Sequence, residues 1–209
     1  MPLQNRVDPC GNIFRSPARG TFMGNRGGAL HNDDREIVRS FKSKRWIACV
    51  LEFRGRYRRV MSPRRYTELF FLDEAVAFAA GHRPCAECRR EPFNAFKNVW
   101  RSANQTERNH IPGADEIDAE LHRTRIDAHR RKVTYDAVLD SLPSGCFIQM
   151  DENAYLVSDD ALLLWTPARY SKRIRKPQKR MVAVLTPEPI VQCFRQGYKP
   201  EIHHSCRSL

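Results

Sequence analysis

Cys85 and Cys88, within Gly81-His82-Arg83-Pro84-Cys85-Ala86-Glu87-Cys88-Arg89-Arg90, are spaced so that two thiolates can close on one metal ion. The amides of such a turn point at the sulfurs, but a complete structural zinc site needs two further thiolate or imidazole donors. His31, Cys49 and His122 are the distant candidates, with Cys10 a further one. His82, three residues before Cys85, could instead pack against Trp46 or meet a phosphate. Two other readings of the pair stay open. Arg83, Arg89 and a helix N-terminus would lower the thiol pKa values of a redox dithiol, and the cysteines could also be two small residues at a helix start.

A second group could do acid–base or metal-assisted chemistry. The glycine-rich turn Met23–Asp34 runs into His31 and two carboxylates. Glycines admit close approach of a phosphate, and His31 could act as general base or ligand, with Asn25 nearby. In Arg65-Tyr66-Thr67-Glu68 a guanidinium, a phenol and a carboxylate fall near one strand end. Glu68, with Glu52, could hold a divalent ion for phosphodiester cleavage if the strands bring them together. An enzyme of nucleic-acid repair or processing, such as a metal-dependent nuclease, would therefore place His31, Glu68 and Asn25 nearest its chemistry.

The partner class is set by charge. The 209 residues carry 36 Lys+Arg against 24 Asp+Glu, a net charge of +12. That balance points to an acidic partner, most commonly nucleic acid. Eleven cations lie between Arg35 and Arg65 against Glu36 and Glu52 alone. Arg45, Arg54, Arg56, Arg58, Arg59, Arg64 and Arg65 are the expected phosphate contacts, with Trp46 and Tyr57 as stacking surfaces. A second run, Arg169 to Arg180, has seven cations and no acid. It reads as a loop after Trp165-Thr166-Pro167 whose Lys172, Arg173, Arg175 and Lys176 would order on a nucleic-acid backbone. The other reading is an interaction protein for acidic protein surfaces.

The elements that must hold these groups read as α+β. A small mixed or antiparallel sheet with the Cys-x-x-Cys knuckle between two helices is followed by a helical segment, then a C-terminal β-meander and helix. Trp46–Phe53 reads as a strand turning at Gly55 into Arg58–Met61, and Thr67–Leu72 as another. Asp73 caps a helix with Ala75, Val76, Ala79 and Ala80 on one face, ended by Gly81. Phe93, Phe96 and Trp100 form the core stripe of a helix from Ala86 to about Ser102. A loop over 103–113 suggests a division into residues 1–102 and 103–209, though one compact domain is equally consistent.

Asp115 then caps a helix carrying Ile117 and Leu121, and Thr134 a shorter one through Val138 and Leu139. Cys146–Gln149, Tyr155–Val157, Ala161–Trp165 and Met181–Leu185 read as strands. Thr186 as N-cap and Pro187 as first residue open a last helix, ended at Gly197. The start lacks an apolar leader, and no run approaches the roughly 18 apolar residues of a membrane span. With seven irregularly spaced cysteines, reduced thiols and a cytoplasmic location are expected.

These residues also carry a family resemblance. Phe70-Phe71, Asp73-Glu74-Ala75 and Ala79-Ala80-Gly81-His82-Arg83-Pro84-Cys85-Ala86-Glu87-Cys88 resemble the second half of the zinc-binding domain of Ada-type DNA methyl-phosphotriester repair proteins. The match spans residues 68–90. It implies Cys85 and Cys88 as zinc ligands and proximity to DNA. In that family a Cys pair, or a His and a Cys, upstream completes the site and includes the methyl acceptor. Here residues 38–67 hold only Cys49 and no histidine, so the first half is rebuilt on other donors or has lost its metal, and methyl transfer is not expected.

Overall fold

The structure is a computed structural model that describes residues 1–56, 59–104 and 110–209. Its first sheet is mixed and six-stranded. It comprises β1 (Gln4–Val7), β2 (Ile13–Arg15), β3 (Phe22–Asn25), β4 (Ile47–Cys49), β5 (Leu69–Phe71) and β6 (Arg83–Pro84), in the order β2-β1-β5-β3-β4-β6. β1 runs parallel to β5 and β4 parallel to β6, and the remaining pairs are antiparallel. Gly24 on β3 is a packing requirement, because a Cβ there would lie 2.2 Å from the Ile47 carbonyl oxygen.

The second sheet is wholly antiparallel. It is built from β7 (Tyr135–Val138), β8 (Phe147–Met150), β9 (Asn153–Val157), β10 (Ala161–Trp165), β11 (Tyr170–Arg175) and β12 (Met181–Val184), in the order β11-β10-β9-β8-β12-β7. Strand alternation sends side chains to two different cores. Ile148, Val157, Leu162 and Val184 join Phe96, Trp100, Ile117 and Leu121 of the helices α2 (Arg90–Asn104) and α3 (Ala114–Arg125). Phe147, Leu156 and Leu163 join Val7, Leu69 and Phe71 of the first sheet. The second sheet thus packs one face on the helices and the other on the first sheet.

Between the layers lies α1 (Glu74–Ala79), every residue of which is buried. Its alanines let the sheets close around it, and Phe78 alone reaches the helical core. Asp73 caps it as the sequence indicates, accepting the Val76 amide at 2.9 Å. Gly81, at φ 83, turns the chain out of the helix. The last helix, α4 (Glu188–Arg195), packs on α2.

Several local expectations are corrected. Residues 135–138 form a strand because Tyr135 and Ala137 alternate inward and pair with β12, and only Leu139–Ser141 makes a short 3-10 turn. The basic run is a strand, since residues 170–175 pair with β10 at the sheet edge, where exposed charges are tolerated. The apolar run from Trp46 supplies strand geometry only to Cys49. Beyond it Phe53–Arg56 turns, with Arg54 and Gly55 both at positive φ. The expected return strand falls partly on Tyr57 and Arg58, outside the described residues; Met61 ends in a turn, buried, with its amide on Glu68. α2 begins at Arg90 rather than Ala86, after the cysteine turn. Gly113 rather than Asp115 caps α3, and Pro187 caps α4 because the Thr186 hydroxyl accepts from the Phe147 amide. Among the described residues no helix is long and apolar enough to cross a membrane.

Candidate metal centre and its cleft

The parallel pairing of β4 with β6 builds the cysteine site. Ile47 stands opposite Arg83 and Ala48 opposite Pro84, and the next bond runs from the Cys85 amide to the Ala48 carbonyl at 2.9 Å. Cys49 and Cys85 therefore leave the two strands side by side, and the turn after Cys85 brings Cys88 back to them. The turn is closed by the Arg89 amide on the Cys85 carbonyl at 3.1 Å. The three sulfur atoms lie within 4.8 Å of one another. Thiolates at about 2.3 Å around a tetrahedral zinc would stand roughly 3.8 Å apart, so these three fit a metal ion with little movement. All seven cysteines are free.

The electrostatics favour thiolate. Hydrogen bonding from Cys49 brings the Cys85 thiol down to about 5, with the Cys88 and Glu87 amides adding to the pull. The Glu87 amide donates to the Cys85 sulfur at 3.4 Å. Cys88 is lowered as well, first by Cys49 and then by the Val50 amide, against the cost of burial. Those same bonds raise Cys49, which holds the shared proton. A bound cation would displace it.

Of the distant donors, Cys49 alone joins the pair. Among the described residues no fourth Cys, His, Asp or Glu atom enters the group. His31 is buried, with Nδ1 2.6 Å from the Thr67 hydroxyl and Nε2 3.2 Å from the Ser62 carbonyl. Thr67 also receives the Leu30 amide, so its hydroxyl donates to Nδ1 and Nε2–H donates to Ser62. Both ring nitrogens are thereby committed to structure. His122 packs edge-on to Phe41 and takes an Arg125 N–H at 3.2 Å, and Cys10 lines a separate cavity. His82 is fully buried between Trp46 and Phe71; burial, then Arg26 and Arg125, hold it well below the usual imidazole range.

The cysteines open on a cleft of about 690 Å³ that Asn25, Glu68, Arg56 and Glu87 also line. Two of the three residues nominated for catalysis thus share the cleft with the sulfur cluster, and His31 is not among its lining residues. Glu68 is nearly inaccessible and its Oε2 accepts the Met61 amide at 2.8 Å; Asn25 Oδ1 accepts the Gly27 amide at 3.0 Å. Glu52 lines the same cleft, and among the described residues no group of three or more metal-binding side chains includes it or Glu68.

The arginines beside the cleft are exposed. Arg54 and Arg56 lie over the Phe53 ring at 5.0 and 5.4 Å, and Arg56 pairs with Glu87 at 3.1 Å. Arg59 and Arg65 line an adjoining recess with Ser62 and Glu68, and Arg64 is exposed beside them. Arg45 stands apart, held by Asp115 of α3 at 3.0 Å. Tyr57 and Arg58 lie outside the described residues. Trp46 is corrected as a stacking surface. It is buried, its Nε1 donates to the Ser43 carbonyl at 3.0 Å, and Arg26 and Arg125 lie over its ring. Lys172, Arg173 and Arg175 are exposed on β11, Arg173 pairing with Asp160, while Lys176 Nζ donates to the Asp159 carbonyl at 3.1 Å.

Sequence reasoning missed the buried ion pairs that fix this geometry. Arg83 grips Asp118 through two bonds of 3.0 and 2.7 Å, and Arg89 reaches Glu74 of α1 at 2.6 Å. Both arginines flank the cysteine turn, so their position in Arg83-Pro84-Cys85 and Cys88-Arg89 was the available signal. No family model, curated protein or solved structure matches the chain.

Proposed function

We propose that this chain binds nucleic acid, DNA in the first instance, with a role in repair or processing, and that zinc on Cys49, Cys85 and Cys88 stiffens the surface that does so. The observation that carries the reading is the convergence of three sulfurs at metal spacing on a cleft lined by exposed Arg19 and Arg56, with Arg59 and Arg65 lining the adjoining recess that shares Glu68. Among the described residues Arg54, Arg59, Arg64 and Arg65 have no carboxylate partner in an ion pair, which leaves their guanidiniums available to phosphate oxygens. Zinc suits an all-sulfur donor set. The resemblance of residues 68–90 to the Ada-type zinc domain agrees with both parts of the proposal.

The donor count supports a second reading. Four protein ligands would close a structural site, whereas three are the count of sites that keep a position for water or substrate. Asn25 and Glu68 share the cleft with those three, so an enzyme acting on nucleic acid is the alternative. Its residues would orient a phosphate or take a proton at Glu68; His31, with both nitrogens engaged, would position Thr67 rather than act on substrate.

Fluorescence anisotropy on a labelled duplex across a salt series tests the binding claim. If Arg54, Arg59, Arg64 and Arg65 each neutralise a phosphate, R54A/R59A/R64A/R65A lowers the slope of log K against log salt by about 3.6. Wild-type affinity that does not change with salt removes the proposal. Turnover of nicked or damaged duplex by wild type, abolished in E68A with binding retained, would select the enzyme reading.

A further inference from the structure

A second cavity, of about 600 Å³, has a different chemistry. Six cations line it, Arg26, Arg39, Arg125, Arg130, Arg131 and Lys132, and no carboxylate does among the described residues. Arg26 and Arg125 are each 1% exposed. Elsewhere this protein neutralises its buried guanidiniums: Arg83 meets buried Asp118 and Arg89 meets buried Glu74. Among the described residues Arg26 and Arg125 have neutral hydrogen-bond partners only. Arg26 donates to His82 and to the carbonyls of Ser40 and Gly11. Arg125 donates to the carbonyls of Gly81 and Lys44 and meets His122, and its Nε–H finds no acceptor. Lys132 donates to the Ala79 carbonyl at 2.6 Å.

Buried charge without a counter-charge is costly, and burial lowers Arg26 and Arg125 to about 9 and Lys132 to about 8. The nearest carboxylates offset it only in part: Asp8 favours the charged forms of Arg26 and Lys132 and Asp118 that of Arg125, yet burial outweighs them, and Asp118 already pairs with Arg83. A guanidinium has five N–H donors and an ammonium three. After the bonds above, each of these side chains retains at least one donor. The contacts of Arg26 and Arg125 with the Trp46 ring, at 4.1 and 4.0 Å, hold both guanidiniums in place before any ligand arrives. Arg130 is held likewise over Phe41 at 4.6 Å.

We infer that this cavity is a binding site for a phosphate-bearing anion, held by Arg26, Arg125 and Lys132 and admitted past the exposed Arg39 and Arg130. Pairing with a dianion supplies the counter-charge the fold omits, and bidentate guanidinium contacts suit phosphate oxygens. The site is separate from the sulfur cluster, since none of the described residues lines both cavities. None of these five cations is among the proposed DNA contacts, so the inference stands or falls apart from that reading.

Inorganic pyrophosphate is the probe, titrated by calorimetry into the full chain at constant ionic strength near 0.15 M, with thermal melts in parallel. Saturable binding is expected, and at about a hundred times Kd a rise in Tm of roughly 5–10 °C. K132M removes an inner charge and R39E/R130E reverses two outer ones on exposed side chains. Each weakens binding roughly tenfold or more, and R39E/R130E keeps the ligand-free Tm. A single-stranded oligonucleotide with a 5′-phosphate, compared with its 5′-hydroxyl form, then finds the source. A preference lost in R39E/R130E assigns the anion to a strand end; no preference, with pyrophosphate bound, assigns it to a free phosphate ester. Absence of saturable binding at millimolar pyrophosphate, or equal affinity in wild type and R39E/R130E, overturns the inference.

Discussion

Arg83→Met tests how the cysteine turn is held. Arg83 and Asp118 are 4% and 2% exposed at the side chain and share two hydrogen bonds of 3.0 and 2.7 Å. Burial already pushes the Asp118 carboxyl up, against the pull of Arg83. Removing the guanidinium leaves a buried carboxylate without its counter-charge, a loss of about 3–5 kcal/mol. For a chain of this size that is a fall in Tm of roughly 6–20 °C. The damage should reach the sulfur site, because Arg83 starts the strand that lies along β4 and delivers Cys85 to Cys49.

Urea unfolding and zinc titration on the same variants provide the assay. R83M loses stability and binds zinc more weakly, whereas R83M/D118L, which removes both charges, recovers most of the stability because apolar replacement of a buried pair is often neutral or better. If R83M unfolds within about 1 kcal/mol of wild type, or the double variant is no better than the single one, the pair does not brace the turn.

Burial raises the Asp73 carboxyl to about 6 from 3.8, despite bonds from the His203 and Val76 amides and the Tyr170 hydroxyl. The native state therefore holds that proton more tightly than the unfolded chain, and stability should rise as pH falls from 7 through 6 towards 4, by on the order of 3 kcal/mol. Chemical denaturation of D73N at pH 7 and pH 5 should lack this share of the rise; an identical pH response in wild type and D73N contradicts it. H31A should lose about 1–3 kcal/mol through the orphaned Thr67 and Ser62 groups yet keep its zinc, so a fall in metal content with intact folding would reinstate His31 as a ligand. The salt slope of R54A/R59A/R64A/R65A, measured beside wild type, reports how many of the exposed arginines meet phosphate.

The helix bracketed by Asp73 and Gly81 and the apolar stripe of α2 were legible from residue order alone, whereas Asp115, Thr134 and Thr186 do not cap the helices expected of them. Asp73 and Gly81 bracket α1 because a carboxylate can take an orphan amide and glycine can take positive φ, and both requirements are local. The Phe93, Phe96, Trp100 stripe is legible for the same reason. Residues 135–138 and 170–175 were misread because their strand geometry comes from partners, β12 and β10, that sequence distance hides. Half of the sulfur site was plain in Cys85-x-x-Cys88. Cys49 could be nominated but not selected over His31 or His122, since the parallel register of Ile47 with Arg83 selects it. Trp46 looked like a stacking surface for the reason it is buried: an aromatic among arginines also serves as a platform for the protein's own guanidiniums, here Arg26 and Arg125. Arg26 within the glycine-rich turn and Arg125 on α3 were not singled out by residue order, because what distinguishes them is burial without an ion-pair partner among the described residues.

The most direct test is the zinc content of protein purified from zinc-supplemented cells, measured by elemental mass spectrometry beside native mass. One zinc per chain is expected in wild type and in the C10S control, with loss of the metal from C49S as well as from C85S/C88S. Metal-free wild-type protein, or C49S that keeps its full zinc, contradicts a three-sulfur centre.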